Sequence, residues 1–390
     1  MKKWLLVAAA FIFLYEGDAQ SYKKLHFKSI LCDTHNDIIS TCIEKGYSFD
    51  EDLTGKTHSD LNRMFRAGVD VQVFSIWCDG TQTNPYAFAN RQIDTLYAWI
   101  KRNPDKMMLV RNSDELMQAV KQHKLASMIG VEGGHMMENS LDNLDSLYAR
   151  GTRYMTLTWN NNTDWATSAK FETDSAQSQR KGLTDFGKQV VQHMNKIGML
   201  VDVSHVGEQT FRDVIHTTTK PVIASHSSVY NICQVPRNLK DDQIKAVAKN
   251  GGVIQINFYS GFLDSTFDAK EKAFEQRHKA EKDSLMKAGK NEFFAENALF
   301  IKYADEVTNM RAPFNLVIDH IDYIAKLVGV DYVGLGSDFD GISFPPQQLD
   351  DVTAYPLITK ALLERGYNKA DVKKILGGNF IRVLKANEVK

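Results

Sequence analysis

Short, continuously apolar runs rich in β-branched residues recur along the chain, separated by longer amphipathic stretches. The runs are SILCD (29–33), VDVQVFSIW (69–77), LASMIGVE (125–132), TRYMTLTW (152–159), GMLVDVSH (198–205), PVIASH (221–226), GGVIQINF (251–258) and DYVGLGSD (331–338). Most lack the alternation of a strand with one face in water. They predict strands buried on both faces, the pattern of a parallel sheet covered by helices. The stretches between them carry a helical period. In LTDFGKQVVQHMNKIG, Thr184 is placed to cap, Phe186, Val190, Met194 and Ile197 form one stripe, and Gly198 ends the helix. Before the last run, Val317, Ile321, Ile324 and Val328 repeat at i, i+4, i+7 and i+11. Eight strand–helix units predict an α/β fold, a (β/α)8 barrel of the TIM type, somewhat larger than the typical ~250 residues.

At 390 residues two domains would fit, but no linker, repeat or low-complexity tract divides the chain. The expectation is a single catalytic barrel over 20–390. Residues 261–312 break the rhythm as a charged, helix-prone insertion between strands seven and eight. They read as a solvated surface excursion, with a lid over the barrel mouth as the alternative. The N-terminal MKKW, the eleven-residue apolar run WLLVAAAFIFL and the small residues of GDAQ have the layout of a secretory signal over 1–19. The run is too short to span a bilayer. An exported protein, periplasmic or secreted, is therefore expected, without a stable membrane anchor because KANEVK at the end is polar.

A net charge of −1 speaks against a nucleic-acid partner. Four cysteines without a CxxC do not make a disulfide framework in a chain this long, although a Cys32–Cys42 bridge after export stays open. The sequence leaves a homodimer open as well.

In such a barrel the C-terminal ends of the strands form the active face. His35 and Asp37 would close strand one, Glu132 strand three, His205 strand five, His226 strand six and Asp338 strand eight. Residues i and i+2 of an extended chain share a side, so His35 and Asp37 can grip one ion. Three imidazoles with carboxylates suit zinc and need no thiolate. With two oxygens on Glu132, five ligands could hold two metals. His135, after VEGG, either orients a ligand or ties a loop. His58, His123, His193, His216 and His278 are expected in solvent, and His320 beside the apolar stripe of its helix. There is no GxSxG, and Cys32 lies inside its strand, so neither a serine nor a cysteine nucleophile is indicated.

The segments DTHND, VEGGH, NTDWA, GLTDFGKQVVQHMNKIGMLVDVSH, ASHSS, PRNLKDD, GSDFDG and ILGGNFIRVL follow in this order over nearly all of 29–385. Together they resemble the membrane dipeptidase (renal dipeptidase) family of zinc peptidases. The resemblance implies a barrel of the metal-dependent, amidohydrolase-like kind with two Zn2+ per chain. His35 and Asp37 would hold one ion, His205 and His226 the other, and Glu132 would bridge them. Asp338 would be the catalytic carboxylate, and Arg237 of PRN would hold the substrate carboxylate. The substrates implied are dipeptides, often with a C-terminal D-residue, cleaved by a metal-bridging hydroxide. A related hydrolase of N-acyl amino acids or lactones is the alternative. The chain departs from the family at LTWNNN, where Trp159 stands in place of a substrate-contacting histidine. We expect Trp159 to pack against substrate, with a neighbouring asparagine of Asn160 to Asn162 or the indole N–H serving the oxyanion. The alternative is that Trp159 only caps its strand.

Overall fold

The computed structural model describes residues 22–173, 182–288 and 292–389; the segment read as an export signal lies outside the described residues. Among the described residues nine strands form one sheet: β1 (Leu31–Asn36), β2 (Val69–Trp77), β3 (Met107–Leu109), β4 (Leu125–Glu132), β5 (Thr152–Thr156), β6 (Leu200–Asp202), β7 (Ile223–Ser227), β8 (Val253–Ile256) and β9 (Val333–Leu335). Eight of them run in the order β1-β2-β4-β5-β6-β7-β8-β9, every neighbour parallel. A parallel bridge between Asn36 and Phe339 joins the two ends of this order into a nearly closed barrel. The eight are the eight apolar runs of the sequence. β3 was not expected: three residues pair only with the start of β4 and leave too short a pattern to read.

Strand parity divides the core. Phe74, Ile76, Ile129, Val131, Met155, Val201, Ala224, Ile254, Val333 and Leu335 pack with the helices in the larger cluster. The opposite parity, Val71, Val73, Ala126, Met128, Tyr154, Leu200, Ile223 and Val253, joins Phe380, Val383 and Leu384 of the helix Asn379–Asn387. Further along the strands that second parity turns polar, through Ser75, Glu132, Thr156, Asp202 and Ser225, all buried. The same row of positions is thus a hydrophobic plug at one end and a reactive surface at the other.

The helix Asp185–Ile197 starts and stops as its sequence indicates: Gly187 N–H donates to Thr184 Oγ1 at 3.2 Å, and Gly198 takes φ +83°. The insertion forms the helices Phe267–Lys287, Glu292–Lys302 and Ala304–Met310. It is not solvated all round. Phe267, Phe274, Leu299 and Met310 make a small core with Phe344 of the loop after β9. All four cysteines are free, including Cys32 and Cys42. Among the described residues no helix is long and apolar enough to cross a membrane.

Candidate metal centre

The strands β6 and β9 end earlier than their apolar runs suggest, and this changes how two reactive residues are presented. His205 and Asp338 do not close strands; each lies three residues beyond one, with φ of +64° and +63°. Left-handed backbone is unfavourable for residues with a Cβ and survives only where the surroundings impose it. Ala169 N–H and the Thr158 hydroxyl both donate to the His205 carbonyl, and Asp338 N–H donates to the His35 carbonyl. These bonds turn the chain sharply at the strand ends.

Around Glu132 the side chains converge. Its Oε2 lies 3.2 Å from His35 Nε2 and 3.4 Å from Ser75 Oγ. Its Oε1 lies 2.9 Å from His205 Nε2 and 3.3 Å from His226 Nε2. On the His35 side, Asp37 Oδ2 is 3.5 Å and Asp338 Oδ1 3.9 Å from Nε2. Two overlapping groups, His35–Glu132–His226 and His35–Asp37–Asp338, each gather their donor atoms within 4.8 Å.

The outer nitrogens fix the tautomers. Tyr154 donates its hydroxyl to the Thr34 carbonyl at 3.0 Å, so its oxygen accepts from His35 Nδ1 at 2.8 Å. Ser225 donates to Asp202 Oδ2 at 2.6 Å and accepts from His226 Nδ1 at 2.8 Å. The Asn160 carboxamide oxygen accepts from His205 Nδ1 at 3.2 Å. With Nδ1 protonated, each neutral ring turns an Nε2 lone pair inward. His205 and His226 then face each other lone pair to lone pair at 2.9 Å, and Asp37 Oδ1 is buried without a hydrogen-bond partner among the described residues. A buried array of acceptors like this is satisfied by a cation, and its nitrogen and oxygen donors fit zinc.

The electrostatics agree. Burial would raise Glu132, but His35, His205 and His226 hold it well below the usual carboxylate range. Burial pushes His35 down, yet Tyr154, Glu132 and Asp37 outweigh it and lift the ring well above its ordinary value. Burial, then Arg237, lowers His205 to about 4, while burial and His35 hold His226 well below the ordinary histidine value. Asp338 is raised well above the carboxylate range by burial and by Asp37 and Glu132, against the pull of His35. Its Oδ2 accepts from Asn257 Nδ2 at 2.8 Å.

Arg237 is only 9% exposed. Its guanidinium lies 5.2 Å from the centroid of Phe262, Nη2 donates to the His226 carbonyl at 3.1 Å, and Nε has no partner among the described residues. Burial lowers it to about 10, opposed by Asp338, Glu132 and Asp202, so it remains a cation. Trp159 is half-buried and meets Trp77 edge-on, ring centroids 5.1 Å apart. Gly133, at φ +106°, leaves room beside it: a methyl there would lie 3.4 Å from Trp159 Cβ and 2.4 Å from His135 Cε1. His135 itself sits 3.4 Å from Cys78 Sγ. Asn162 Oδ1 accepts from Ser168 N–H at 2.8 Å and organises its loop, whereas Asn160 reaches a ring of the centre.

Three histidines expected in solvent are half-buried. His58 accepts from Asp340 N–H at 2.9 Å, His193 pairs with Asp145 at 2.6 Å, and His278 stacks on Tyr303 beside Glu306. His123 and His216 are exposed as expected. His320 is fully buried. The residues that sequence reasoning missed are Tyr154, Asp202, Ser225 and Asn257. Asp202 had a visible signal, a carboxylate within an apolar strand.

The model of the membrane dipeptidase family, peptidase family M19, matches residues 19–390. Among solved structures, the probable dipeptidase PvdM from Pseudomonas aeruginosa is similar over 95% of this chain and 98% of its own, with 24% identity and a TM-score of 0.76. A metallo peptidase from Rhodobacter sphaeroides, liganded with a phosphinate mimic of the dipeptide L-Ala-D-Ala, is similar over 93% of this chain and 100% of its own, with 21% identity and a TM-score of 0.75. An amidohydrolase from Pseudomonas aeruginosa covers 94% and 98% at 21% identity and a TM-score of 0.71. With a family match over nearly its whole length and a site of buried histidines and carboxylates, this chain belongs to the membrane dipeptidase family of metallopeptidases.

Proposed function

We propose that the protein is an exported binuclear zinc dipeptidase, with His35 and Asp37 on one ion, His205 and His226 on the other, and Glu132 shared. The observation that carries this reading is the division of Glu132, one oxygen toward His35 and the other toward His205 and His226. When bound, two zinc ions supply Lewis acidity for the scissile carbonyl and lower the pKa of an attacking water toward ~7.

The chain's own residues do the rest. Asp338, held by Asn257 beside the His35 half, takes the proton from that water and returns it to the leaving amine. Arg237 pairs with the substrate's terminal carboxylate; its buried Nε, free of protein partners, is available for that bond. A fixed clamp at this depth limits the substrate to two residues. Trp159 packs against the substrate and narrows the pocket, and the Asn160–Asn162 loop, braced by Asn162 on Ser168, brings a donor to the oxyanion. The phosphinate dipeptide mimic in the Rhodobacter structure supports including substrates with a C-terminal D-residue.

The test is a panel of L,L and L,D dipeptides, their C-terminal amides, N-acyl amino acids and lactones, run with zinc and with chelator. The proposal expects hydrolysis confined to compounds with both a free amine and a free carboxylate, abolished by chelation. Turnover of N-acyl amino acids or lactones in preference to dipeptides would overturn it.

A further inference from the structure

The three inward-facing histidines are not backed alike. His35 rests on a phenol that passes its own proton to a backbone carbonyl, and His205 rests on a neutral carboxamide. His226 rests on Ser225, and Ser225 rests on an anion, Asp202. Asp202 is fully buried in β6. Its Oδ1 accepts from the N–H groups of Ser204 at 3.0 Å and Ser225 at 2.9 Å. Its Oδ2 accepts from the hydroxyls of Thr156 at 2.5 Å and Ser225 at 2.6 Å. All four of these donors are neutral. Beyond them, the charge of Asp202 acts on Arg237 and, through Ser225, on the cation that His226 would hold.

The two halves of the centre also differ in charge. The His35 half has Asp37, Asp338 and one oxygen of Glu132. The His205–His226 half has two neutral rings and only the other oxygen of Glu132. A dication held there is short of negative charge. We propose that Asp202, acting through Ser225, is a positioning residue for His226 and the remote counter-charge of the two-histidine half. This rests on the binuclear reading above.

The relay has a direction. Because Ser225 gives its proton to Asp202, its oxygen is left to accept Nδ1–H, and the Nε2 lone pair of His226 is kept for the metal. In Asp202→Asn, an amide N–H facing Ser225 reverses this order. The serine then donates to Nδ1, and the proton moves to Nε2, where it blocks ligation. Ser225→Ala cuts the relay and keeps the buried carboxylate, which loses one of its four donors.

The experiment titrates metal-stripped wild type, Ser225→Ala, Ser225→Thr, Asp202→Asn and Tyr154→Phe with zinc against a competing chelator. Stoichiometry is read by native mass spectrometry, and the apo proteins are melted in parallel. Wild type is expected to bind two zinc ions. Ser225→Ala and Asp202→Asn should each weaken one binding constant by about 10–100-fold and leave the other in place. Ser225→Thr should restore it, and Tyr154→Phe should weaken the other constant. Ser225→Ala keeps the test alive if Asp202→Asn does not fold. Two unchanged constants in Ser225→Ala would overturn the inference and leave the binuclear reading intact. So would a fall of both constants together with the apo melting temperature, or the same constant weakened by Ser225→Ala and Tyr154→Phe. Fewer than two zinc ions on wild type would overturn the binuclear reading itself, and this inference with it.

Discussion

Tyr154 occupies the space that a side chain on Gly130 would fill. A methyl group at Gly130 would lie 2.1 Å from Tyr154 Cζ, and the hydroxyl on that carbon accepts from His35 Nδ1 at 2.8 Å. A packing decision on β4 thereby sets the orientation of a candidate metal ligand on β1. Gly130→Ala should destabilise the fold by about 1–3 kcal/mol through overpacking and loosen the zinc proposed beside His35. Tyr154→Phe keeps the ring and should weaken that zinc while losing only about 1 kcal/mol of stability. Denaturant unfolding of the two variants checks this; a Gly130→Ala protein as stable as wild type would contradict it.

Arg237 should act on binding more than on chemistry. Arg237→Leu removes a charge-assisted contact of about 2–3 kcal/mol, so KM for dipeptides should rise on the order of 10²-fold. The preference for the free acid over the C-terminal amide should fall by a similar factor. Steady-state kinetics on matched acid and amide pairs measure this, and unchanged discrimination would place the carboxylate clamp elsewhere.

Trp159 stands edge-on to Trp77 beside Gly133. If it walls the pocket, Trp159→Ala should lower kcat/KM and broaden side-chain preference, whereas Trp159→His should keep activity with altered preference. Identical profiles for both variants and wild type across the dipeptide panel would make it a strand cap.

His320 provides a pH dependence away from the candidate metal centre. Its Nδ1 accepts from Val229 N–H at 3.0 Å, so Nε2 carries the proton and donates to the Leu263 carbonyl at 3.1 Å. A second proton would face the Val229 N–H, and burial lowers the ring to about 4. The unfolded chain therefore binds this proton first as pH falls. The stability is fully present above the ordinary value of about 6.5 and is lost between there and about 4, some 3 kcal/mol in all. His320→Asn should be less stable than wild type at pH 7.5 and show a shallower loss on acidification. Urea midpoints from pH 7.5 to 4.5 test it; parallel curves would refute it.

Much of this was legible in the sequence because strands buried on both faces write themselves as continuous apolar runs. The reactive residues were placed at strand ends on the same ground. Positions depending on contacts remote in sequence were not legible. His58 is tied down by Asp340, and Tyr154 owes its role to His35 and Gly130; none of these three partners is near in the chain. The ends of β6 and β9 were drawn too long because left-handed turns at His205 and Asp338 leave no mark when the residue is not glycine.

The central claim is that Glu132 bridges two zinc ions, and anomalous diffraction at the zinc edge from crystals of the zinc-loaded protein tests it most directly. The account predicts two peaks roughly 3.5–4 Å apart, one between His35, Asp37 and Glu132, the other between Glu132, His205 and His226. A single peak, or a second one away from Glu132, would contradict it.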